Sequence, residues 1–502
     1  MRKIPILHPF FFAAYPAVAF LAHNIEQTEA SSALRPLLAA LALAAILLIL
    51  FIALYRRSHP AGLLTSIFLG LFFSYGHFYN LVEGLSFSGF TIGRHRLLAP
   101  LWLALAGISL WWGFKERRDL QIVSNRLNII ALIALIIPIG QIGFYQFSRW
   151  SGSEASAKSR AYARAEVSTD RPLPDIYYLI LDSYSRDDML KKYYDLDNTP
   201  FLDRLEQMGF AVARCAQSNY AQSELSMASS LNFDYLENLG EQFQPESRRR
   251  TGLAELIQHS AARSLLENLG YTIVATDTGY DATRLTDADI YLAPRISAEI
   301  NDFEEAFMRT TAARLLSEGA AFLHLPPDWE KRDRRHRERI LFQLEQLEKI
   351  PTIPGPKFVF VHIITPHWPY IFGPNGEPVH EHPDSKSGYR NQVIFINQQI
   401  LPILENMLAA SETPPIIVIQ GDHGAVQVDP KRRMSILNAY YLPGGGDVLI
   451  YEGISPVNTF RLIFSYYFGL DIPLLEDVSN YSSYEEPYNY QLVKNQRKGC
   501  DD

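Results

Sequence analysis

Residues 175–184 read DIYYLILDSY, and residues 415–424 read PIIVIQGDHG. Each is a short β-branched and aromatic run that stops at a carboxylate, Asp182 in the first and Asp422 in the second. Two more runs share this texture, YTIVATD at 271–277 and KFVFVHII at 357–364. Apolar residues occupy both odd and even positions, so neither face of such a strand suits water. That is the pattern of parallel strands covered by helices on both sides. Helical stretches lie between the runs. TPFLDRLEQMGF (199–210) offers Thr199 as a candidate N-cap and Pro200 in the first turn. WEKRDRRHRERILFQLEQLEKI (329–350) is strongly charged with one apolar stripe. Its interleaved Glu residues mark a solvated helix face rather than a nucleic-acid surface. Alternating strands and helices predict an α/β domain with a mainly parallel sheet.

Upstream the texture changes. Residues 151–173, SGSEASAKSRAYARAEVSTDRPL, are small and polar without a sustained period and read as a linker. Before them stand five apolar stretches, near 4–22, 34–54, 61–82, 97–114 and 127–147. Each is close to the ~20 residues that a bilayer crossing needs. His8, Pro9 and Pro16 interrupt the first, and His77 and Asn80 the third. A signal peptide accounts for one such stretch, not five. Arg2, Lys3, Arg56, Arg57, Lys115, Arg117, Arg118 and Arg126 fall on one side of the crossings, and Arg35, Arg94, Arg96 and Arg149 on the other. This bias predicts a cytoplasmic N-terminus. Five crossings then put everything after Trp150 outside the cytoplasm. The expected organisation is a five-helix transmembrane bundle at 1–150, a linker at 151–173 and an extracytoplasmic domain at 174–502.

Charge follows the same division. Residues 1–150 carry 12 Lys and Arg against 5 Asp and Glu, whereas the rest of the 502-residue chain carries 34 against 49. An acidic domain lacks the basic surface on which nucleic-acid binding depends. Thirty Pro and 29 Gly in 502 residues exclude a collagen-like or wholly disordered chain. Cys215 and Cys500 are the two cysteines, with no CxxC or zinc spacing, and their number leaves the redox compartment open.

Ligands of such sheets gather beyond the carboxyl ends of the strands. Here the first strand ends at Asp182, the 357–364 strand runs into Thr365-Pro366-His367, and the 415–420 strand runs into Asp422-His423. Two carboxylates and an imidazole at converging strand ends suit a divalent metal. SNYAQSELSMASSL (218–231) is rich in hydroxyls and begins a helical run at Ser223. Ser223 followed by Glu224 reads either as a nucleophile at a helix start or as a plain capping arrangement. His380 and His382 read as part of a polar loop. Asp281 and Arg284 contact an anionic headgroup or simply lie on the surface. The Tyr-rich tail YSSYEEPYNYQL (481–492) either packs on the domain or faces the membrane.

Taken together, YYLILDSYSRDD, NTPFLDRLEQMGF, NYAQSELSMASSLN, FVFVHIITPHWPY, IIVIQGDHG and NTFRLIFSYYFG, over about 174–470, resemble the sulfatase-like branch of the alkaline phosphatase superfamily. The five-helix part is similar in layout, not in motif, to lipoteichoic acid synthases and lipid A phosphoethanolamine transferases. The resemblance implies roles. Asp182 matches the first acidic metal ligand, Asp422 and His423 the late metal pair, and Ser223 the nucleophile, itself a ligand. His367 matches a substrate-facing histidine, and His362 is read as a structural or supporting residue. One Zn or Mn ion on Asp182, Ser223, Asp422 and His423 is the implied cofactor. The chain departs from true sulfatases in three places. Neither Ser-Glu-Leu-Ser-Met at Ser223 nor Cys-Ala-Gln-Ser-Asn at Cys215 fits the Cys/Ser-x-Pro-x-Arg element. No Gly-Lys-Trp-His element follows residue 274. Ser183 stands where sulfatases place a second Asp. These departures argue against formylglycine chemistry and against a calcium-type site. The implied function is a multi-pass plasma-membrane enzyme that hydrolyses or transfers a phosphate ester of a lipid headgroup or surface glycan. The alternatives are a sulfuric-ester hydrolase with an unmodified serine, and a catalytically silent membrane scaffold.

Overall fold

In the computed structural model, seven strands form one sheet: β1 (Ile176–Leu181), β2 (Ala211–Val212), β3 (Thr272–Thr276), β4 (Ile290–Leu292), β5 (Lys357–Ile363), β6 (Ile416–Gln420) and β7 (Asn438–Tyr441). Their order is β2-β7-β6-β1-β5-β3-β4. The run from β6 to β4 is parallel, and β7 and β2 close one edge antiparallel. The structure describes residues 5–25, 28, 30–87, 90–91, 95–152, 173–248, 250, 252–294, 302–319, 328–379, 385–425, 429–495, 497 and 499–500. Arg2, Lys3, Arg94, nearly all of the expected linker, and His380 and His382 lie outside these residues.

The four runs read as strands are β1, β3, β5 and β6. Every residue of β1, β5 and β6 is buried. Two-sided apolarity has its counterpart in two cores. Ile176, Tyr178 and Ile180 face one core with Leu225, Met227 and Leu231 of α6 (Ser223–Leu231). Tyr177, Leu179 and Leu181 face the other. That second core takes Ile340, Leu344 and Leu347 from α7 (Asp328–Lys349) and Val393, Ile396 and Ile400 from α8 (Ser385–Ala410). The helix expected at 199–210 spans Thr199–Gln207. Asn198 occupies its N-cap position, and Thr199 bonds instead to Asp197 Oδ1 through its amide and hydroxyl.

The chain divides into two compact units. One comprises Met1–Ser151 with Ala298–Lys331, and the other Gly152–Ser297 with Arg332–Asp502. The chain returns to the first unit over the described residues 302–319, within the span expected for the α/β domain. The N-terminal helices are α1 (His8–Asn24), α2 (Leu34–Tyr55), α3 (Ser58–Val82), α4 (His95–Lys115) and α5 (Gln121–Gly152). The spans containing α2 to α5 are long and apolar enough to cross a membrane. At 17 residues and about 26 Å along its axis, α1 is the shortest of these five apolar helices, at the lower end of what a bilayer crossing needs. Side chains such as Ile49 (68% exposed) and Leu103 (73%) project outward, which suits lipid and not water. Two of the polar residues that interrupted the apolar pattern, His8 and Asn80, are hydrogen-bonded within this unit. His8 meets Ser66 Oγ at 2.7 Å and Ser124 Oγ at 3.0 Å, and Asn80 accepts from Arg314. Within the returning segment, Phe303 packs on Phe20 with ring centroids 5.1 Å apart, and Glu304 pairs with Arg35 at 2.7 Å.

Cys215 and Cys500 form a disulfide across a sequence separation of 285 residues. Next to it, Asn495 donates to the Cys215 carbonyl, and Arg497 pairs with Asp187 at 2.6 Å. A bridge closing so long a loop contributes typically about 2–4 kcal/mol. Dithiothreitol should therefore lower the melting temperature of the detergent-solubilised chain, and Cys500→Ser should lower it equally and abolish the response. A reductant effect that persists undiminished in Cys500→Ser would rule out this pairing.

Candidate active site

The parallel register sets the level of the strand ends. Ile180 of β1 lies opposite His362 on one side and Gln420 on the other. Asp182 and Asp422 thus leave the sheet side by side, each two residues beyond the paired position. His362 is still within β5, at the rim. One ligand atom from each of Asp182, His362 and Asp422 lies within 4.8 Å of the others, and all three residues are buried. His362 Nε2 is 3.2 Å from Asp182 Oδ2.

His423 joins this group from the other side. Its Nε2 is 3.5 Å from Asp422 Oδ2 and 3.9 Å from Asp182 Oδ1. Its Nδ1 faces the Gly424 carbonyl at 2.7 Å. A carbonyl only accepts, so Nδ1 carries the proton and Nε2 presents its lone pair to the site. Burial and the Arg433 guanidinium press the pKa of His423 down to about 4, against the pull of Asp422 and Asp182. The imidazole is neutral at physiological pH, the form that binds a metal. Burial pushes the Asp182 carboxyl up, but His367, His362 and His423 together bring it well below the ordinary carboxylate range.

Two glycines permit these loops to approach so closely. A Cβ on Gly421 would sit 2.5 Å from the Tyr184 carbonyl oxygen, and one on Gly424 only 2.1 Å from that of Arg432. Ser183 takes a left-handed conformation (φ 65°), which turns its amide to Asp422 Oδ1 at 2.9 Å. The His423 amide donates to the same oxygen at 2.9 Å. Asp422 Oδ1 is thereby saturated, whereas Oδ2 of Asp422 and Nε2 of His362 are buried with no hydrogen-bond partner. Buried polar atoms seldom stand alone. Two carboxylates, a neutral imidazole and these bare atoms fit a divalent cation. Ligand atoms around a tetrahedral ion at ~2.1 Å stand ~3.4 Å apart, and the 3.2 and 3.5 Å separations here are of that size.

Ser223 is the first residue of α6, with Gln222 at the N-cap position and no side-chain cap. Its Oγ therefore does not cap the helix; it lies 3.1 Å from His423 Nε2 and donates to that lone pair. First-turn amides of a helix have no intrahelical acceptor, and the helix dipole favours negative charge there. The preceding residues are fixed from afar. Asn219 donates to Ser455 Oγ and the Val478 carbonyl, and Gln222 to the Ser483 carbonyl. The Tyr-rich tail packs on this unit: Tyr488 is fully buried. Glu224 accepts from Tyr280 at 2.7 Å and pairs with Arg250 at 3.0 Å.

Asp182, Asp422, His423 and Ser223 are thus brought together. His367 makes no hydrogen bond to them; its Nδ1 faces the Trp368 carbonyl of its own loop, and its charge bears on Asp182. Arg284 pairs with Asp281 at 3.1 Å and Asp277 at 3.4 Å. His362, read as a supporting residue, sits within the carboxylate group. A sequence signal for it exists, since a histidine in a wholly apolar strand has to find a partner at the strand's end. Arg433 had no such signal; its Nη2 is 3.2 Å from His423 Nε2.

No protein-family model matches the chain, and no curated protein matches it. Among solved structures, it is similar to the C-terminal periplasmic domain of EcEptC from Escherichia coli, at 14% identity and a TM-score of 0.45, over 67% of this chain and 98% of that one. It is also similar to the integral membrane lipooligosaccharide phosphoethanolamine transferase A from Neisseria meningitidis, at 10% identity and a TM-score of 0.38, over 91% and 94%. A third is the lipoteichoic acid synthase LtaP from Listeria monocytogenes, at 12% and 0.39, over 67% and 86%.

His336 of α7 donates from Nε2 to the Ile364 carbonyl at 3.2 Å, and burial with Arg339 presses its pKa to about 4 from an ordinary 6.5. Between these values the unfolded chain takes up a proton that the folded chain refuses. The stabilisation is complete above pH 6.5 and is lost as pH falls toward 4. Melting temperature should accordingly drop less from pH 7 to pH 5 in His336→Gln, which keeps a donor, than in wild type; identical slopes would refute the assignment.

Proposed function

We propose that the chain is a membrane-anchored enzyme that cleaves or transfers a phosphate ester, with Ser223 as nucleophile beside a divalent cation on Asp182, Asp422 and His423. The single observation that carries this reading is the placement of Ser223 Oγ, 3.1 Å from His423 Nε2, next to buried ligand atoms that lack partners. His362, whose Nε2 faces Asp182 Oδ2 at 3.2 Å, is a further ligand of the same cation. The cation, Zn or Mn, would favour the Ser223 alkoxide and polarise a phosphoryl oxygen.

The chain's own groups supply the rest. Ser223 Oγ attacks phosphorus in line, the bond to the leaving oxygen breaks, and phospho-Ser223 forms. His367, on the loop beyond β5, gives a proton to the leaving oxygen. The amides opening α6 face the charge that develops at the serine. Water then completes a hydrolysis, or an alcohol completes a transfer. The apolar helices hold the chain in a plasma membrane, with the N-terminus cytoplasmic by the loop charges. The Cys215–Cys500 bridge supports an extracytoplasmic, oxidising location for the α/β unit. Anchoring there suits a substrate carried by a lipid or surface glycan.

Metal content of the purified full chain, measured by mass spectrometry beside paired phosphodiester and sulfate-ester assays, tests the proposal. A single Zn or Mn ion per chain is expected, lost in Asp422→Ala together with phosphodiester turnover. Ser223→Ala should fold normally and lose activity by on the order of 10³-fold or more. Wild-type protein that neither holds metal nor turns over after Zn or Mn is restored would be a silent scaffold. Sulfate-ester cleavage without phosphodiester cleavage would make it a sulfatase.

A further inference from the structure

One cation at the site forms no ion pair among the described residues. Arg433 lies on the short helix α9 (Pro430–Met434), ten residues after His423. Its Nε donates to the Ala221 carbonyl at 2.5 Å, and its Nη2 lies 3.2 Å from His423 Nε2. A guanidinium offers five N–H donors in a rigid fork; Ala221 engages Nε, and the His423 Nε2 lone pair that Nη2 faces already accepts from Ser223. Among the described residues no carboxylate forms an ion pair with Arg433. Other arginines of this unit contrast with it: Arg432 pairs with Asp429, Arg250 with Glu224, Arg339 with Asp277 and Arg497 with Asp187. Asp422 and Asp182 act on Arg433 only at longer range, and a divalent cation held between them would cancel that attraction. A half-buried guanidinium with spare donors is costly without an anion.

Its position says which anion. Ser223 Oγ and Arg433 Nη2 both lie within 3.2 Å of the same atom, His423 Nε2. They are neighbours across it. Ala221, which anchors Nε, is two residues before Ser223. A group attacked by Ser223 would therefore lie within reach of the guanidinium.

We propose that Arg433 binds the non-bridging oxygens of the phosphoryl group that Ser223 attacks, so that the site selects an ester with an ionised phosphate. This rests on the phosphate-ester reading above. The fork matters as well as the charge: guanidinium N–H groups match two oxygens of a phosphate, whereas an ammonium presents a point charge. Arg433 forms and breaks no covalent bond; it stabilises charge that grows on the equatorial oxygens.

The test uses the full chain in detergent, with inorganic phosphate as probe. Binding is measured by equilibrium dialysis, beside metal content, melting temperature and steady-state phosphodiester kinetics, for wild type, Arg433→Gln and Arg433→Lys. Arg433→Gln should weaken phosphate binding at least tenfold and lower kcat/KM by about 10²-fold or more, with metal content and melting temperature unchanged. Arg433→Lys should recover part of the binding. Wild-type phosphate affinity in Arg433→Gln would overturn this assignment while wild-type turnover left the proposed function standing. A Gln variant that loses phosphate only together with metal or folding, with Lys failing equally, would also overturn it, leaving Arg433 as a structural prop for residues 221–223. Wild-type chain that binds no phosphate and turns over no phosphodiester would remove both the assignment and the function beneath it.

Discussion

The site depends on the pairing of β1 with β5 and β6. With Ile180 opposite both His362 and Gln420, two carboxylates and an imidazole arrive at one rim. Shifting a strand by one residue would exchange its two faces. In β1 that would turn Tyr177, Leu179 and Leu181 out of one core and Ile176, Tyr178 and Ile180 out of the other. The cores therefore enforce the register, and the register enforces the site. Burying Asp422 completely would be prohibitive on packing grounds alone. It is tolerable because the Ser183 and His423 amides both donate to Oδ1. Those donors exist only because Ser183 adopts a positive φ and Gly424 lets a neighbouring backbone come close.

Ser223 is placed by a different route. The sheet does not position it; a loop of 218–222 does, and that loop is held by residues far along the chain. Ser455, Val478 and Ser483 fix Asn219 and Gln222, while Cys500 fixes Cys215 a few residues upstream. The carboxylates and Ser223 are thus supported by separate parts of the fold, which meet at His423 Nε2. The imidazole is oriented by the Gly424 carbonyl, so its lone pair is presented at the junction rather than toward the protein.

Much of this was legible in the sequence, for a physical reason. Burial on both faces leaves a run with no polar alternation, and DIYYLILDSY and PIIVIQGDHG announce both the strand and the carboxylate at its end. The other three strands carry no such mark: β2 has two residues, β4 has three that are only half-buried, and β7, NAYY, begins with a buried Asn whose side-chain nitrogen donates to Tyr440 and the Ile454 carbonyl. Pairings set by three-dimensional proximity were equally silent. The Cys215–Cys500 bridge, the return of residues 302–319 to the N-terminal unit and the approach of Arg433 to His423 leave no local pattern. The place of His362 beside the two carboxylates is likewise silent, because a histidine within a strand resembles a core residue until its neighbours across the sheet are known.

Hydropathy alone cannot separate the two units. By length and apolarity α8 qualifies as a membrane span alongside the spans of the N-terminal unit. The difference lies in what covers each helix. Val393, Ile396, Ile400 and Ile403 of α8 are used up by the sheet, whereas the outward residues of α2, α4 and α5 meet no protein among the described residues and are exposed. The α/β unit closes both of its cores with its own helices, and every residue assigned to the site belongs to it. The N-terminal helices add no chemical group to the reaction proposed here. Under the proposed function, anchoring would contribute concentration: an enzyme and a lipid-borne ester confined to one surface meet far more often than the same pair in solution.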